Sequence, residues 1–510
     1  RDETITLIRD RFGEKPLYYG FQKGTFMFAS ELKALKPHPD FEGIVDREAL
    51  GYFMKYSYVP TPKSIYSGIK KLSPGCFVSI KYENNNWHLG KVIKYWNLLE
   101  KKLPSQKIHY SEALEKIEFL LTDTIKMQRS ADVSVGSFLS GGIDSSLVTT
   151  LMQANSTRKI NTYTIGFSEK DYDESKYAAK IAKHIGTDHN EYIASHQDIM
   201  NVIPSLPLLY DEPFADSSQI PTYLVCNFAS KDITVALSGD GGDEIFSGYN
   251  RYIWAPKIMS LINKYPHFFR KIFKNSTKNL KINHIQNLYN AIKIILPKSY
   301  QVVSPVDKFE KILRIIDKED EYEVYDMLTS IMHKNNPTLN FEDNFYSKKK
   351  EIFSNSGSNY LEKMMHTDIA NYMLDDILVK VDRAAMANSL ETRMPFLDHR
   401  IFEYTKTIPI NYLSNKSKSK ILLRDILKKY IPETILERPK AGFGMPIDTW
   451  LRKPLKNWVY DTLDLSIIHN QSYLNTAFIS DLLDDHMSGK ANRHHEIWNI
   501  LVWQNWIMNE

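Results

Sequence analysis

The sequence is poor in cysteine: only Cys76 and Cys226 occur among its 510 residues. A disulfide framework and a cysteine-based zinc site are therefore excluded. No apolar run approaches the ~20 residues of a membrane helix, and no signal-peptide pattern opens the chain. A formal net charge of +4 argues against a dedicated nucleic-acid binder. We expect a globular, cytoplasmic protein of two or three domains that uses neither nucleic acid nor a membrane as partner.

An initial methionine is also missing, because the chain opens directly in the alternating, strand-like sequence RDETITLIRD. The strings TITLIRD, PLYYGF, TFMFAS and CFVSIKY predict a β-rich region over residues 1–95, with a hairpin turn at ENNNW. A polar connector covers residues 96–110, and an amphipathic helix is predicted over residues 111–129. A strand that begins without a partner leads us to expect a fragment of a longer polypeptide.

The most informative string is VSVGSFLSGGIDSSLVTTLM, residues 133–152. Its apolar spacing predicts a short buried strand, a turn and then a helix. Gly141 and Gly142 can adopt backbone angles closed to other residues and allow a ligand close to the main chain. The N-terminus of the following helix favours an anion.

Two common phosphate-binding patterns are absent from this turn. It lacks the lysine and spacing of GxxxxGK[ST], and no GxGxxG follows the strand. An isolated SGG is also typical of an ordinary tight turn with Ser140 or Asp144 as helix cap. The full string SGGIDSS, however, resembles the pyrophosphate loop of ATP pyrophosphatases, enzymes that split ATP between its α- and β-phosphates. That resemblance implies ATP as the ligand.

A second glycine-rich turn lies in ALSGDGGDEIFSGY, residues 236–249. Strands alternate with helices from residue 133 to this turn, which predicts a parallel sheet covered on both faces, with ligands at the carboxyl ends of its strands. Asp240, Asp243 and Glu244 concentrate three carboxylates here, which is typical either of a solvated acidic turn or of a site that binds a cation. Because carboxylates next to a phosphate loop would repel ATP, we interpret them as Mg²⁺ ligands or substrate-orienting groups.

Four further strings are rich in charged residues or glycine. DEPFADSSQIPTYLVC (residues 211–226) combines acids with an Asp-Ser-Ser that would also serve as a helix N-cap. Residues 378–400 predict one helix that ends at Pro395, with one apolar and one charged face. RPKAGFGMP presents Lys440 in a glycine-flanked loop, and the basic run of residues 271–284 predicts a solvated helical face.

Together, SGGIDSS, LSGDGGDE, VDRAAMANSLETRMPFLD and the Lys440 loop resemble the glutamine-hydrolysing asparagine synthetase family. RDRFGEKPLYY and FASELKAL resemble the closing half of that family's glutaminase domain, which is of the N-terminal-nucleophile type. The resemblance implies an α/β protein in which residues 1–95 are the C-terminal half of a truncated glutaminase domain. Residues 96–110 would be a linker, and residues 111–510 an ATP pyrophosphatase-like synthetase domain with a helical C-terminal part.

The resemblance also implies roles for individual residues. ATP would contact Leu139, Ser140, Gly141, Gly142, Asp144, Ser145, Ser146, Ile165, Ser238 and Gly239. Asp144 and Asp243 would hold Mg²⁺, a hard cation that prefers oxygen ligands. Asp240 would take the acidic position tied to formation of the acyl-adenylate. Arg383 and Lys440 would neutralise the phosphates as charge shifts onto the leaving group.

The implied reaction is the ATP-dependent amidation of aspartate through β-aspartyl-AMP, with ammonia supplied by glutamine in the intact protein. Cys76 and Cys226 do not match the N-terminal cysteine nucleophile of the family, so this chain should lack glutaminase chemistry. Two alternatives stay open: an amidotransferase that acts on uronic-acid sugars of surface polysaccharides, and a catalytically inactive homologue that serves as a binding partner. A homodimer is also left open as the assembly state.

Overall fold

A computed structural model describes most of the chain, namely residues 3–83, 86–100, 108–168, 173–277, 312–332, 336–415, 417–436 and 445–510. The helices of the first half are α1 (Arg47–Tyr56), α2 (Tyr110–Arg129), α3 (Ile143–Ala154), α4 (Ser175–Ile185), α5 (His196–Val202), α6 (Leu206–Tyr210), α7 (Gln219–Ala229), α8 (Gly242–Ile245), α9 (Asn250–Lys264) and α10 (His267–Thr277). Later helices are Glu321–Thr329, Phe345–Asn355, Tyr360–Asp368, Leu378–Met386, His399–Thr405, Ile421–Leu427, Glu433–Leu436, Ile447–Arg452, Lys456–Thr462, Leu465–Gln471, Thr476–Met487 and His494–Ile507, with a π-helix at Ile369–Ile377. In the part of the chain that the structure describes, no helix combines the length and apolar character needed to cross a membrane.

Two antiparallel sheets occupy the N-terminal region. One contains β1 (Thr4–Ile8), β5 (Cys76–Glu83), β6 (Asn86–Leu89) and β7 (Ile93–Lys94), and the other contains β2 (Tyr18–Gln22), β3 (Thr25–Ala29) and β4 (Ile69–Lys71). Because side chains alternate between the two faces of a strand, TITLI and CFVSI place Leu7, Val78 and Ile80 in one small core. The predicted strands of residues 1–95 are therefore present, while residues 84 and 85 of the predicted hairpin turn lie outside the described residues.

Five parallel strands form the central sheet, namely β8 (Val135–Phe138), β9 (Asn161–Phe167), β10 (Asp188–Ala194), β11 (Val235–Leu237) and β12 (Glu391–Arg393). Their order in the sheet is β10–β9–β8–β11–β12. From β8 the chain proceeds to β9 and β10 on one side, and later to β11 and β12 on the other. The topological switch point therefore lies between β8 and β11.

Both faces of this sheet are buried, as expected for a parallel sheet. Alternate residues of β9, Tyr163 and Ile165, face a core shared with α1 and the C-terminal helix His494–Ile507. Leu147 of α3 belongs to a second core, with Ile117 of α2. Because the N-terminal region contributes α1 to the first core, it packs directly against the synthetase-like part. The predicted mixed α/β fold, with a β-rich N-terminal region and a helical C-terminal part, is confirmed.

One predicted element is wrong. The helix predicted from residue 378 to Pro395 ends earlier, at Met386. Asn388 returns a side-chain hydrogen bond to Ala384 O (2.8 Å), and Ser389 adopts a left-handed φ of 55°, so the chain reverses there. Residues Glu391–Arg393 then pair with β11 as the edge strand β12, because sheet pairing outweighs local helix propensity.

Candidate active site

The two glycine-rich turns meet at the switch point. Leu237 pairs in register with Ser137, so the turns that follow β11 and β8 leave the same edge of the sheet. A Cβ built on Gly239 would lie 2.7 Å from Ser145 N, and one on Gly242 would lie 2.7 Å from Asp144 Cγ. No larger residue fits at either position without movement of the loop opposite. This crevice is where open parallel sheets bind their ligands.

The first turn is held in shape by its own hydroxyl groups. The Ser140 and Ser145 hydroxyls lie 3.0 Å apart, and Ser140 Oγ accepts from Gly142 N at 3.3 Å. Gly141 has a φ of 73°, which only glycine adopts readily. Gly142 caps α3 without a side-chain hydrogen bond, so backbone N–H groups at this helix end are directed to the crevice.

Ser146 adds a buried hydroxyl to the same helix end. Its side chain is fully buried, and within the described ranges its Oγ has no hydrogen-bond partner. Since buried hydroxyls are usually paired, this oxygen is available to a ligand or to water.

The second turn carries Asp240. Ser238 N is anchored by Arg393 O of β12 (2.9 Å), and the Ser238 hydroxyl donates to the Asp240 carboxylate. Burial raises the pKa of Asp240 above its ordinary value, while Ser238 and the nearby Lys380 act in the opposite direction. The turn therefore places the Asp240 carboxylate beside the first loop, where a hydroxyl group and a nearby lysine stabilise its charge.

Asp144 and Asp243, the two predicted Mg²⁺ ligands, converge on one cation that the sequence did not reveal. Lys420 Nζ lies 2.5 Å from Asp243 Oδ1 and also contacts Asp144 Oδ2. Although burial lowers the pKa of Lys420, both carboxylates raise it, and the net shift is upward. Among the described residues, no group of three or more His, Cys, Asp or Glu side chains is arranged to hold a metal ion.

Lys420 is fixed by unusual backbone geometry. It has a left-handed φ of 54° immediately before the helix Ile421–Leu427. A Cβ built on Gly248 would lie 2.1 Å from Lys420 Cε and 1.8 Å from Asp243 Oδ1, so the ion pair packs on a bare glycine backbone. Such strain in a non-glycine residue is typical of functional sites.

A second buried lysine connects Asp216 to the Asp240 turn. Lys380 Nζ donates to Asp216 Oδ2 (2.7 Å) and to Ser218 Oγ (2.8 Å). Burial lowers the pKa of Lys380, but Asp216 and Asp376 raise it further, so it stays charged. Asp216 also accepts from Ser218 N, and Ser218 makes no side-chain cap to α7. The Asp-Ser-Ser string thus binds a lysine as well as starting a helix.

Asp376 shares this cluster from the π-helix. Burial and the neighbouring Asp216 raise the pKa of Asp376 well above its ordinary value. Asp216 shows the reverse: burial alone would raise its pKa, yet Lys380 and a hydrogen bond from Asp376 hold it below its usual range. The opposite directions of the two pKa shifts favour protonation of Asp376 over that of Asp216. A π-helix is rare and often marks a functional region.

Glu244, at the end of the acidic turn, is buried beside Tyr249. The Tyr249 hydroxyl donates to Glu244 Oε1 at 2.6 Å. Burial and the charge of Asp243 raise the pKa of Glu244 to about 7.

Other residues predicted from the sequence lie elsewhere. The Arg383 guanidinium pairs with Glu31 (3.2 Å) and Asp211 (3.5 Å) and donates to Ser30 O, so it lies between the N-terminal region and the synthetase-like part. Ile165, a residue of β9, is buried in the core on one face of the sheet. Lys440 lies outside the described residues.

The acids at the start of DEPFADSS also serve the contact between the two parts of the chain. Asp211 accepts from Leu32 N (2.9 Å), and Glu212 accepts from Ile65 N (3.0 Å) while pairing with Lys71 (2.6 Å). Within this string, only Asp216 and the serines remain for the crevice side. Sequence spacing alone does not separate these two roles.

Comparison with known protein families agrees with this arrangement. The asparagine synthase family model matches residues 116–508, and the glutamine amidotransferase domain model matches residues 1–96. The chain belongs to the asparagine synthase family. The family resemblance seen in the sequence is thereby confirmed.

Named relatives of the asparagine synthase family align along three quarters or more of the chain. The asparagine synthetase [glutamine-hydrolyzing] 1 of Bacillus subtilis is 30% identical over 509 residues, which cover 99% of this chain and 75% of the relative. A putative asparagine synthetase [glutamine-hydrolyzing] of Mycobacterium tuberculosis is 29% identical over 505 residues, covering 98% and 73%. One from Methanocaldococcus jannaschii is 33% identical over 392 residues, covering 75% and 69%.

Proposed function

We propose that the chain uses ATP to amidate the side-chain carboxylate of aspartate, producing asparagine, AMP and pyrophosphate. The observation that carries this proposal is the contact between the two glycine loops at the switch point, with Lys420 across it. Such a crevice offers backbone N–H groups and a lysine to a polyphosphate. The names of the relatives support aspartate as the acceptor.

In the first step, a β-carboxylate oxygen of aspartate attacks the α-phosphorus of ATP. The bond to the bridging oxygen breaks, pyrophosphate leaves, and β-aspartyl-AMP forms. We assign the pyrophosphate to the first loop and to the start of α3, and Asp240 to the adenylate step. The proposed nucleotide contacts are Leu139, Ser140, Gly141, Gly142, Asp144, Ser145, Ser146, Ser238 and Gly239. Ile165 is left out because its side chain is buried in the core.

The crevice also has a donor set that suits Mg²⁺. Asp144 and Asp243 supply hard oxygen ligands that already converge on a single cation, the Lys420 ammonium. When bound, Mg²⁺ would neutralise phosphate charge. Lys420 itself would be released towards the phosphates and would stabilise the charge that develops on the leaving group.

In the second step, ammonia attacks the acyl carbon of the adenylate. The C–O bond to AMP breaks with its electron pair, and the nitrogen loses a proton to give the amide. The intermediate must be kept from water, and the closely packed loops serve that purpose. In the intact protein, we propose that ammonia comes from glutamine.

Pyrophosphate release with ATP, Mg²⁺ and ammonium tests the proposal against a panel of aspartate, glutamate, glucuronate and galacturonate. We expect release with aspartate alone, and one ¹⁸O atom should pass from labelled β-carboxylate to AMP. Pyrophosphate release with a uronic acid but not with aspartate would mean that the acceptor is a sugar acid. Absence of release with every carboxylate would overturn the activity. The Asp144→Ala variant is the blank, since it removes a proposed phosphate-site residue but no large apolar group.

A further inference from the structure

A long stretch of the sequence carries no acidic residue. From Ile245 to Val306 there is no Asp or Glu, whereas ten Lys and Arg occur in that stretch. The whole chain is nearly balanced, with 65 Lys and Arg against 61 Asp and Glu. This local excess of positive charge plays no part in the proposed reaction. Helices α9 and α10 form its described portion.

Helix α10 packs against the protein through its charged face. The Arg270 side chain is buried and donates to Ile316 O (2.6 Å), Lys318 O (2.7 Å) and Tyr265 O (2.9 Å). Lys274, one turn further on, pairs with Asp317 at 2.7 Å. Two cationic side chains thus hold the inner face of the helix.

The opposite face of α10 is apolar and points to solvent. Phe268, Phe269, Ile272 and Phe273 are 67%, 62%, 46% and 46% exposed. Their spacing, two pairs four residues apart, places them on one side of the helix. An amphipathic helix normally buries this stripe, so the arrangement here is inverted.

Helix α9 also exposes large apolar side chains. Its inner face buries Tyr252, Ala255, Met259 and Ile262. Its outer face exposes Trp254 (40%) and Leu261 (58%), and Lys257 lies over the Trp254 ring at 4.9 Å. The two helices therefore present exposed aromatic and aliphatic groups together with lysines, and no carboxylate of their own.

We propose that the outer faces of α9 and α10 dock the protein on an anionic phospholipid bilayer. This departs from the expectation that no membrane is a partner, which rested on the lack of a membrane-spanning run and so did not consider surface docking. Apolar side chains flanked by lysines are the composition of helices that lie in the membrane interface. The lack of acidic residues within both helices matches the negative surface of such a bilayer, although Asp317 and Glu319 lie beside the inner face of α10. Aliphatic and phenylalanine side chains at this exposure favour acyl chains over nucleic acid, whose recognition would need phosphate contacts repeated along a groove.

Vesicle flotation of the full chain tests the surface. We expect binding to vesicles of equal parts phosphatidylglycerol and phosphatidylcholine, weak binding to phosphatidylcholine alone, and loss of binding at high salt. The Phe268→Gln/Phe269→Gln variant should lose at least about tenfold in affinity, since it removes two of the exposed apolar groups. Lys264→Glu and Lys271→Glu should each lose about fivefold or more. Phe119→Gln is the matched control, because Phe119 is 60% exposed on α2.

A site-specific label separates the outcomes. The native Cys76 and Cys226 are both buried, so a single Ile272→Cys label reports on α10 alone. An environment-sensitive dye there should shift to shorter wavelength on anionic vesicles, while the same dye at Phe119→Cys should not. Equal binding by all variants would overturn the proposal. So would binding of a single-stranded oligonucleotide without vesicle binding, or a dimer that Phe268→Gln dissociates.

Discussion

The ammonium nitrogen of Lys420 lies 2.5 Å from Asp243 Oδ1 and also contacts Asp144, so that the three residues form one ionic cluster. The three residues come from the acidic turn, from α3 and from the position before the helix Ile421–Leu427, which is 276 residues after Asp144. Their contact therefore depends on the completed fold. Two carboxylates and one lysine leave the cluster with one net negative charge. ATP can approach only if that charge is compensated, which makes the balance at this point decisive for nucleotide binding.

Replacement of Lys420 by methionine keeps the length of the side chain and removes its charge. We expect kcat/KM for ATP to fall about 10²-fold, the scale of one lost preorganised donor. The apparent affinity for Mg²⁺ in the absence of ATP should rise, because Asp144 and Asp243 lose their internal counter-ion. Pyrophosphate release and Mg²⁺ titration measure the two effects. Lys428→Met, at the other end of the same helix and more exposed, is the control; equal behaviour of the two variants would exclude the role.

The sequence predicts the two glycine loops because their signals are local. A strand, a turn with Gly141 and a helix are adjacent in the chain, and parallel-strand logic places the second turn beside the first. The sequence does not indicate Lys420 and Lys380 as site residues, because lysine is common on surfaces and no local pattern marks a buried one. A lysine in the left-handed region directly before an apolar helix is the only signal at Lys420, and it is visible in the structure alone.

Replacement of Asp376 by asparagine tests whether Asp376 is protonated in the folded protein. The pKa of Asp376 is raised in the folded state, so its contribution to stability is full below its unfolded pKa of about 4 and is lost as pH rises. Asparagine donates the same hydrogen bond without titrating. The Tm of Asp376→Asn relative to the native chain should therefore increase from pH 5 to pH 8. Thermal scans measure this, with exposed Asp132→Asn as reference; a difference that is constant with pH would contradict the assignment.

Two roles are open for Arg383: it neutralises the phosphates of ATP, or it joins the N-terminal region to the synthetase-like part. The structure gives it Glu31 and Asp211 as partners and leaves it 2% exposed. Arg383→Met should destabilise the chain by about 3–5 kcal/mol, the cost of breaking a buried ion pair. The KM for ATP of the folded protein should stay unchanged. Stability unaltered together with a raised KM for ATP would return Arg383 to the phosphates. Exposed Arg11→Met controls for the lost charge.

The loop around Lys440 yields a prediction from the sequence alone. If Lys440 neutralises charge in the adenylylation transition state, Lys440→Ala should lower kcat by about 10²-fold or more. Steady-state pyrophosphate release provides kcat and KM separately. A rise in KM with kcat unchanged would make Lys440 a group that binds the ground state instead. Exposed Lys453→Ala, a short distance along the chain, shows the effect of an unrelated lysine.

Whether the 510-residue chain can use glutamine as its nitrogen source depends on whether Cys76 or Cys226 can act as a nucleophile. Burial raises the pKa of the Cys226 thiol and, to a smaller extent, that of Cys76, so neither is an activated nucleophile. We therefore expect the 510-residue chain to form product with ammonium salts and none with glutamine. The rate should rise with pH as free ammonia becomes available. A Cys76→Ser/Cys226→Ala variant should keep the ammonium-dependent rate, because both thiols lie outside the proposed chemistry. Glutamine-dependent product from the purified chain, lost in that double variant, would require a nucleophile at one of these positions and would overturn the assignment.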